Sequence, residues 1–301
     1  PRAVAKIFAA KGRPADHPLI VHLGADDLMT CYAREIPDAA WALAEAFWPG
    51  PLTLILKKAP GVLDVVTGGQ DTVGLRVPGH PVALALLRAF AEVRQQAGQP
   101  GGGLAAPSAN RFGRISPTAA QHVADELGDA VSLILDGGDC QVGIESTIVD
   151  LSRAAPVILR PGAITAEQVG LALGTPIEIH TAKPQDAPRV SGSLASHYAP
   201  LTPLQVLESD AIAQSLQDSV RVAAIVRDDD VLSVSLRQLP GVVILANQPV
   251  AYAHDFYRVL RELDTGAYDR ILVQALPPTA EWFAVQDRLG RAAYRDLPDS
   301  V

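Results

Sequence analysis

The chain has 301 residues, 48% hydrophobic and 19% charged, enough apolar material for two packed domains and too much for a disordered chain. A formal net charge of −8, with the first 200 residues and the remainder both acidic, excludes a globally basic protein that grips nucleic acid through phosphates. Two distant cysteines, Cys31 and Cys140, exclude a disulfide framework and lack metal-ligand spacing, so they read as thiols of a reducing, cytoplasmic compartment.

In chain order, Pro1 is followed at once by an amphipathic helical pattern, R-A-V-A-K-I-F-A-A-K, with no signal peptide. Met29 is the only methionine, so the chain is expected to begin inside a domain, with an N-terminal piece absent. Strands are predicted at Leu19–Leu23, Leu52–Lys57, Thr72–Val77, Gly103–Ala106, Ser132–Leu135, Thr147–Leu151 and Val157–Arg160. Helices are predicted at Asp38–Phe47, Pro81–Gln96, Pro117–Leu127 and Ala166–Leu173. Ser116 is placed as the N-cap of the third, with Pro117 in its first turn and Gly128 closing it; Thr165 and Gln168 form a capping box for the fourth. Glu92–Gly103 reads as a surface loop. Ile179–Pro203, rich in Pro, Ser and Gly, reads as a long linker. Strands at Val220–Val226, Val242–Leu245 and Arg270–Gln274 then alternate with helices at Ala251–Leu263 and Glu281–Ala293, a smaller doubly wound, Rossmann-like α/β domain. The predicted division is residues 1–178, linker 179–203 and residues 204–301. No run of about 18 apolar residues is available to span a membrane.

The chemistry lies in four short strings at strand ends: K-G-R-P at Lys11–Pro14, P-S-A-N at Pro107–Asn110, E-S-T-I-V-D at Glu145–Asp150 and R-P-G at Arg160–Gly162. They offer cations, hydroxyls and glycine-flanked backbone, a set that suits a polyanionic ligand such as a nucleoside triphosphate. There is no G-x-S-x-G elbow, no H-E-x-x-H, no P-loop and no G-x-G-x-x-G.

With K-G-R-P-A-D-H-P-L-I-V-H, D-T-V-G-L-R-V-P, A-P-S-A-N-R-F-G-R-I-S-P-T, G-I-E-S-T-I-V-D and I-L-R-P-G in this order, the chain resembles the YrdC-like threonylcarbamoyl-AMP synthases, in the two-domain form. The resemblance covers nearly all of residues 1–200 and includes S-H-Y-A-P at Ser196–Pro200. It implies a twisted open mixed sheet with helices around a concave cavity. It implies an enzyme that condenses L-threonine, bicarbonate and ATP, with Mg2+ arriving on ATP, and hands its product to the machinery that modifies tRNA beside the anticodon. The family's first strand and its P-T-E-T-V-Y-G-L-type motif are missing, and His17 stands where many relatives have Asn. The linker string S-G-S-L-A-S-H-Y-A-P and the Glu92–Gly103 loop also depart from the usual pattern.

Each residue also has a plainer reading. Lys11 and Arg13 follow a helix C-terminus, where cations are favoured by the macrodipole; the resemblance assigns them to phosphate. His22 is an ordinary strand-end histidine or a threonine contact. Thr72 and Arg76 share a strand face; the resemblance gives Thr72 to ATP and Arg76 to the threonine carboxylate, with Val73 and Leu75 in the core. Ser108 and Asn110 are turn formers or ATP contacts, and Ser116 is a cap, a phosphate contact or both. The resemblance adds His17, Arg160 and His197 to the ATP set, and Ala106 and Ser146 to the threonine set. Arg160 is expected at a cavity rim. Glu145 and Asp150 fall on opposite faces and receive no acid–base role; no protein nucleophile and no protein metal site are expected. The linker is expected to act as a lid, with His197 and Tyr198 closing over nucleotide. A structured-RNA-binding module is the alternative; the acidic charge and 5% aromatic content weigh against it and against direct tRNA binding.

Overall fold

The computed structural model describes residues 1–99, 101–180, 187–192, 194–218, 221–229, 234 and 236–294. Its contacts divide into two compact units: Pro1–Arg111, Val123–Gly138 and Glu145–Ser193 in the first, Phe112–His122, Asp139–Ile144 and Leu194–Val301 in the second.

The first unit opens with α1 (Arg2–Lys11), closed by Gly12 in the left-handed region at φ 63°. There follow β1 (Ile20–His22), α2 (Asp38–Phe47), β2 (Leu52–Lys57), α3 (Asp64–Thr67), β3 (Thr72–Arg76), α4 (Pro81–Gln96) and β4 (Leu104–Ala105). Beyond α5 (Ala120–Leu127) come β5 (Thr147–Asp150), β6 (Val157–Arg160), α6 (Ala166–Leu173) and β7 (Glu178–Ile179). The seven strands form one sheet in the order β4-β1-β3-β2-β5-β6-β7, with antiparallel and parallel pairs alternating across it. β2 is central, which is why Leu-Thr-Leu-Ile-Leu is buried on both faces. One face carries Val21, Leu54, Leu56, Val73, Leu75 and Val149 into the main core. The Thr165–Gln168 capping box is formed at the start of α6.

Three local expectations are corrected. Ser132–Leu135 forms no strand: an apolar run becomes a strand only against a partner edge, and among the described residues it has none, leaving Leu133 75% and Leu135 52% exposed. α5 starts at Ala120, not Pro117, so Ser116 is not its N-cap. The Ser116 carbonyl is taken by Arg261 Nε at 3.2 Å, and the Thr118 N–H is met by His122 Nδ1 at 3.2 Å, which holds this stretch out of the helix. Glu92–Gln96 is the last part of α4, not loop.

The second unit contains β8 (Leu204–Leu207), α7 (Ser209–Asp218), β9 (Val222–Arg227), β10 (Val242–Leu245), α8 (Pro249–Asp264), β11 (Arg270–Gln274) and α9 (Phe283–Ala293). Its four strands are parallel, in the order β10-β9-β11-β8. Alternate residues of β9 enter different cores: Ala223 and Ile225 join the aromatic cluster of Tyr252, Phe256 and Trp282, while Val222, Ala224 and Val226 pack with Ile212. Burial on both faces is the signature of a doubly wound sheet. β8 and α7 escape sequence reading because the first is four residues after a Pro-rich turn and the second is rich in Ser and Gln. No helix among the described residues is long and apolar enough to cross a membrane.

Candidate active site

The first unit's other sheet face is polar where the strands end. Register aligns Ile20 with Gly74, His22 with Arg76, and Ile55 with Gly74, so Thr72, Gly74 and Arg76 share this face with His22. Gly74 keeps the floor low: a Cβ there would meet Ile55 Cδ1 at 3.2 Å and Ile20 Cγ1 at 3.4 Å. Arg76 Nε donates to the Gly50 carbonyl at 3.0 Å. Ala106 extends the sheet by donating its N–H to Ile20 O at 3.0 Å, so any ligand contact there falls to its carbonyl.

Beside them lies a buried hydroxyl–guanidinium cluster. Thr53 Oγ1 and Ser146 Oγ are 2.8 Å apart. Arg160 donates from Nε and Nη2 to Ser146 O at 3.1 and 2.8 Å, from Nη2 to Ser146 Oγ at 3.1 Å, and from Nη1 to Ser191 O at 2.9 Å. Arg160 is 3% exposed, so the expectation of a rim guanidinium is corrected: its fork ties the end of β6 to the start of β5 and to the turn at Ser191. Thr53 was missed, since a threonine within an apolar strand carries no sequence signal of function. The carboxylate of Asp150 is spent on Ser152 and Arg153.

The K-G-R-P and P-S-A-N strings meet through one side chain. Lys11, buried at the end of α1, donates Nζ to the carbonyls of Ser108 (2.6 Å) and Asn110. Burial first, and the Arg13 cation second, lower its pKa to about 8. Arg13 is also buried and donates Nη2 to Pro18 O at 3.0 Å. His17 and Ser108 are half-buried on the same loops, and Asn110 Nδ2 donates to Arg111 O at 2.8 Å.

Residues 181–186 and 193, part of the expected lid and of its Ser-Gly-Ser, lie outside the described residues. Residues 187–192 cross the polar face. Gln70 pairs with the Arg189 backbone at two points, accepting from its N–H at 2.6 Å and donating to its carbonyl at 3.1 Å. Val190 packs on Ile55 and Ile148. The cleft beneath is lined by Ile20, Ile55, Thr72, Gly74, Ile148 and Val190. Gln70, like Thr53, was not singled out from sequence.

Ser116 and His197 belong to the second unit. His197 is buried, edge-on to Phe112 at 6.0 Å and to Tyr198 at 4.1 Å. Tyr198 adopts φ 62°, with the buried Arg288 guanidinium 5.4 Å from its ring.

His22 has the most informative electrostatics. Burial, then the Arg76 cation, lower its pKa to about 4, so its imidazole is neutral at pH 7. The unfolded chain binds this proton first, near pH 6.5. The stability owed to neutral His22 is therefore complete above about pH 6.5 and drains as pH falls toward 4. Between pH 7 and pH 5 the wild type should lose roughly 1–2 kcal/mol more in urea unfolding than His22→Gln. Equal losses would place His22 in water.

A mixed-sheet α/β unit with cations and hydroxyls at its strand ends, together with a parallel α/β unit, defines a two-domain α/β protein with a polar strand-end face. Residues 1–162 match the Sua5/YciO/YrdC family, described as "Telomere recombination", and residues 164–294 match "Threonylcarbamoyl-AMP synthase, C-terminal domain". The chain belongs to this family, as an enzyme of its two-domain form. It is 36% identical over 297 residues to the threonylcarbamoyl-AMP synthase of Pyrococcus abyssi, covering 97% of this chain and 84% of the relative. The Bacillus subtilis synthase is 36% identical over 299 residues, covering 97% and 83%. Among solved structures, P. abyssi Sua5 complexed with L-threonine superposes with a TM-score of 0.83 at 35% identity, covering 97% of this chain and 84% of that one.

Proposed function

We propose that this enzyme condenses L-threonine, bicarbonate or CO2, and ATP into threonylcarbamoyl-AMP, releasing pyrophosphate. The product then serves transfer of the threonylcarbamoyl group to the adenosine beside the tRNA anticodon. The observation that carries this reading is the gathering of His22, Arg76, Ser146 and Arg160 at one end of a sheet face, with a neutral imidazole next to a guanidinium. The relatives' names and the threonine complex of one of them support the same reading.

In this reading Arg76 takes the threonine carboxylate, while His22, Ser146 and the Ala106 carbonyl orient the rest of the amino acid. A neutral imidazole leaves the amine unopposed by a second positive charge as it forms its carbamate with CO2. The carbamate oxygen then attacks the α-phosphorus of ATP, and pyrophosphate leaves with the electron pair of the broken P–O bond. Within the first unit Lys11, Arg13, His17, Thr72, Ser108, Asn110 and Arg160 are assigned to nucleotide, and within the second unit Ser116 and His197 are. Catalysis rests on positioning and charge neutralisation, not on a protein nucleophile. Mg2+ enters as the ATP complex; among the described residues no group of three or more His, Cys, Asp and Glu side chains is set to hold a metal.

Pyrophosphate release by the full chain should require ATP, threonine and bicarbonate together. Threonine should exceed serine in kcat/KM by about 10- to 100-fold, the worth of one methyl in a fitted pocket. Salt-sensitive RNA retention without turnover would overturn the reading in favour of an RNA-binding module.

A further inference from the structure

Phe112–His122 runs, in sequence, among the strings of the first domain, yet it is built into the unit that contains residues 194–301. Every residue from Phe112 to Ser116 is anchored there. Phe112 meets His197 edge-on, and the Gly113 carbonyl accepts from Ala199 N at 2.9 Å. Arg114 Nη2 pairs with Asp264 Oδ2 at 3.1 Å, in the last turn of α8. The same carboxylate takes the N–H groups of Leu201 and Thr202 at 3.0 and 2.7 Å. Ile115 is buried in the aromatic core of Tyr198, Tyr252 and Tyr257. One turn before Asp264, Arg261 donates Nε to the Ser116 carbonyl at 3.2 Å and Nη2 to the Ile115 carbonyl.

We infer that the C-terminal domain is the template of the Ser116 loop, with Arg261 as a positioning residue for nucleotide binding that acts through Ser116. The inference rests on the reading of Ser116 as an ATP contact. Two successive carbonyls gripped by one planar fork fix the orientation of both peptide planes, and with them the direction of the Ser116 side chain. A lysine reaches the same carbonyls only as a single point charge. A hydroxyl meant for phosphate must be held to a fraction of an ångström by its supporting residues, and here that support comes from α8. The second domain therefore has a part in the reaction through the loop that it holds.

A double-mutant cycle on the full chain tests this. Ser116→Ala, Arg261→Met and the double variant are compared for the KM of ATP, the KM of threonine, kcat and melting temperature. Arg261→Met is expected to raise the KM of ATP about tenfold, as for loss of a charge-assisted hydrogen bond. The KM of threonine should change little, the melting temperature should fall by a few degrees, and the double variant should have a KM of ATP no worse than Ser116→Ala alone. Arg261→Lys should fall between wild type and Arg261→Met, and it carries the cycle if the methionine variant does not fold. Additive effects, or a KM of ATP unchanged by loss of Arg261, overturn the inference while leaving the Ser116 reading in place. A wild-type KM of ATP in Ser116→Ala overturns both, and turnover by the wild type still separates that result from failure of the proposed reaction.

Discussion

Arg160→Ala should lose pyrophosphate release by more than 100-fold and melt several degrees lower. The side chain closes β6 and is buried, and its N–H groups reach Ser146 twice through the carbonyl, once through the hydroxyl, and Ser191 once. Truncation leaves those carbonyls without their donors in a desolvated place. Hydrogen bonds to charged groups contribute about 1.5–3 kcal/mol each, and unmet buried acceptors cost a similar amount. Activity falls for a further reason: Ser146 Oγ, a proposed threonine contact, loses the group that aims it. Arg160→Lys keeps the charge but cannot bridge Ser146 and Ser191 together, so it should recover only a small part of the activity. Pyrophosphate release near the wild-type rate in Arg160→Ala would remove Arg160 from the site.

Gly162→Ala should be nearly as damaging with a single added carbon. A Cβ at this position would lie 2.4 Å from Thr147 N, 2.7 Å from Ser146 C and 2.8 Å from Glu145 O. All three are backbone atoms of the E-S-T string, so no side chain can rotate away, and the two strings must separate. Overpacking of this kind costs about 1–3 kcal/mol or more, and here it displaces Ser146 directly. Gly290→Ala is the control. It lies within α9, nothing stands within 4 Å of its added Cβ, and alanine there should stabilise by about 0.5–1 kcal/mol. The two melting temperatures should therefore move in opposite directions, and only Gly162→Ala should lose turnover. Equal behaviour would mean that the R-P-G and E-S-T strings do not touch as described.

What could be read from the residues was local or strongly periodic. β2 is a continuous apolar run because it is the central strand, and the ends of α2, α4 and α6 are marked by Pro and capping residues beside them. What could not be read was set by distant partners. Ser132–Leu135 has the pattern of a strand, but pairing decides the matter. Arg160 looks like a loop cation because R-P-G ends an apolar run; its burial depends on Ser146 and Ser191 arriving from elsewhere. Thr53 and Gln70 look like ordinary strand and turn residues until Ser146 and Arg189 are placed against them. The attachment of Phe112–His122 to the C-terminal half is invisible in a sequence whose family strings run on through it.

The pairing of β2 with β5 bears on how the enzyme comes into being. Leu52 aligns with Thr147 and Ile55 with Asp150, so the centre of the sheet joins segments made far apart in time on the ribosome. Closing so large a loop costs chain entropy before any strand contact repays it, and sheets dominated by such contacts form in about milliseconds to seconds. Ser146 immediately precedes β5. The proposed amino-acid site therefore comes together only when this late pairing does, and a nascent chain released before residue 150 lacks both the complete sheet and the finished strand beside Ser146. A ligand of this face can select only finished molecules.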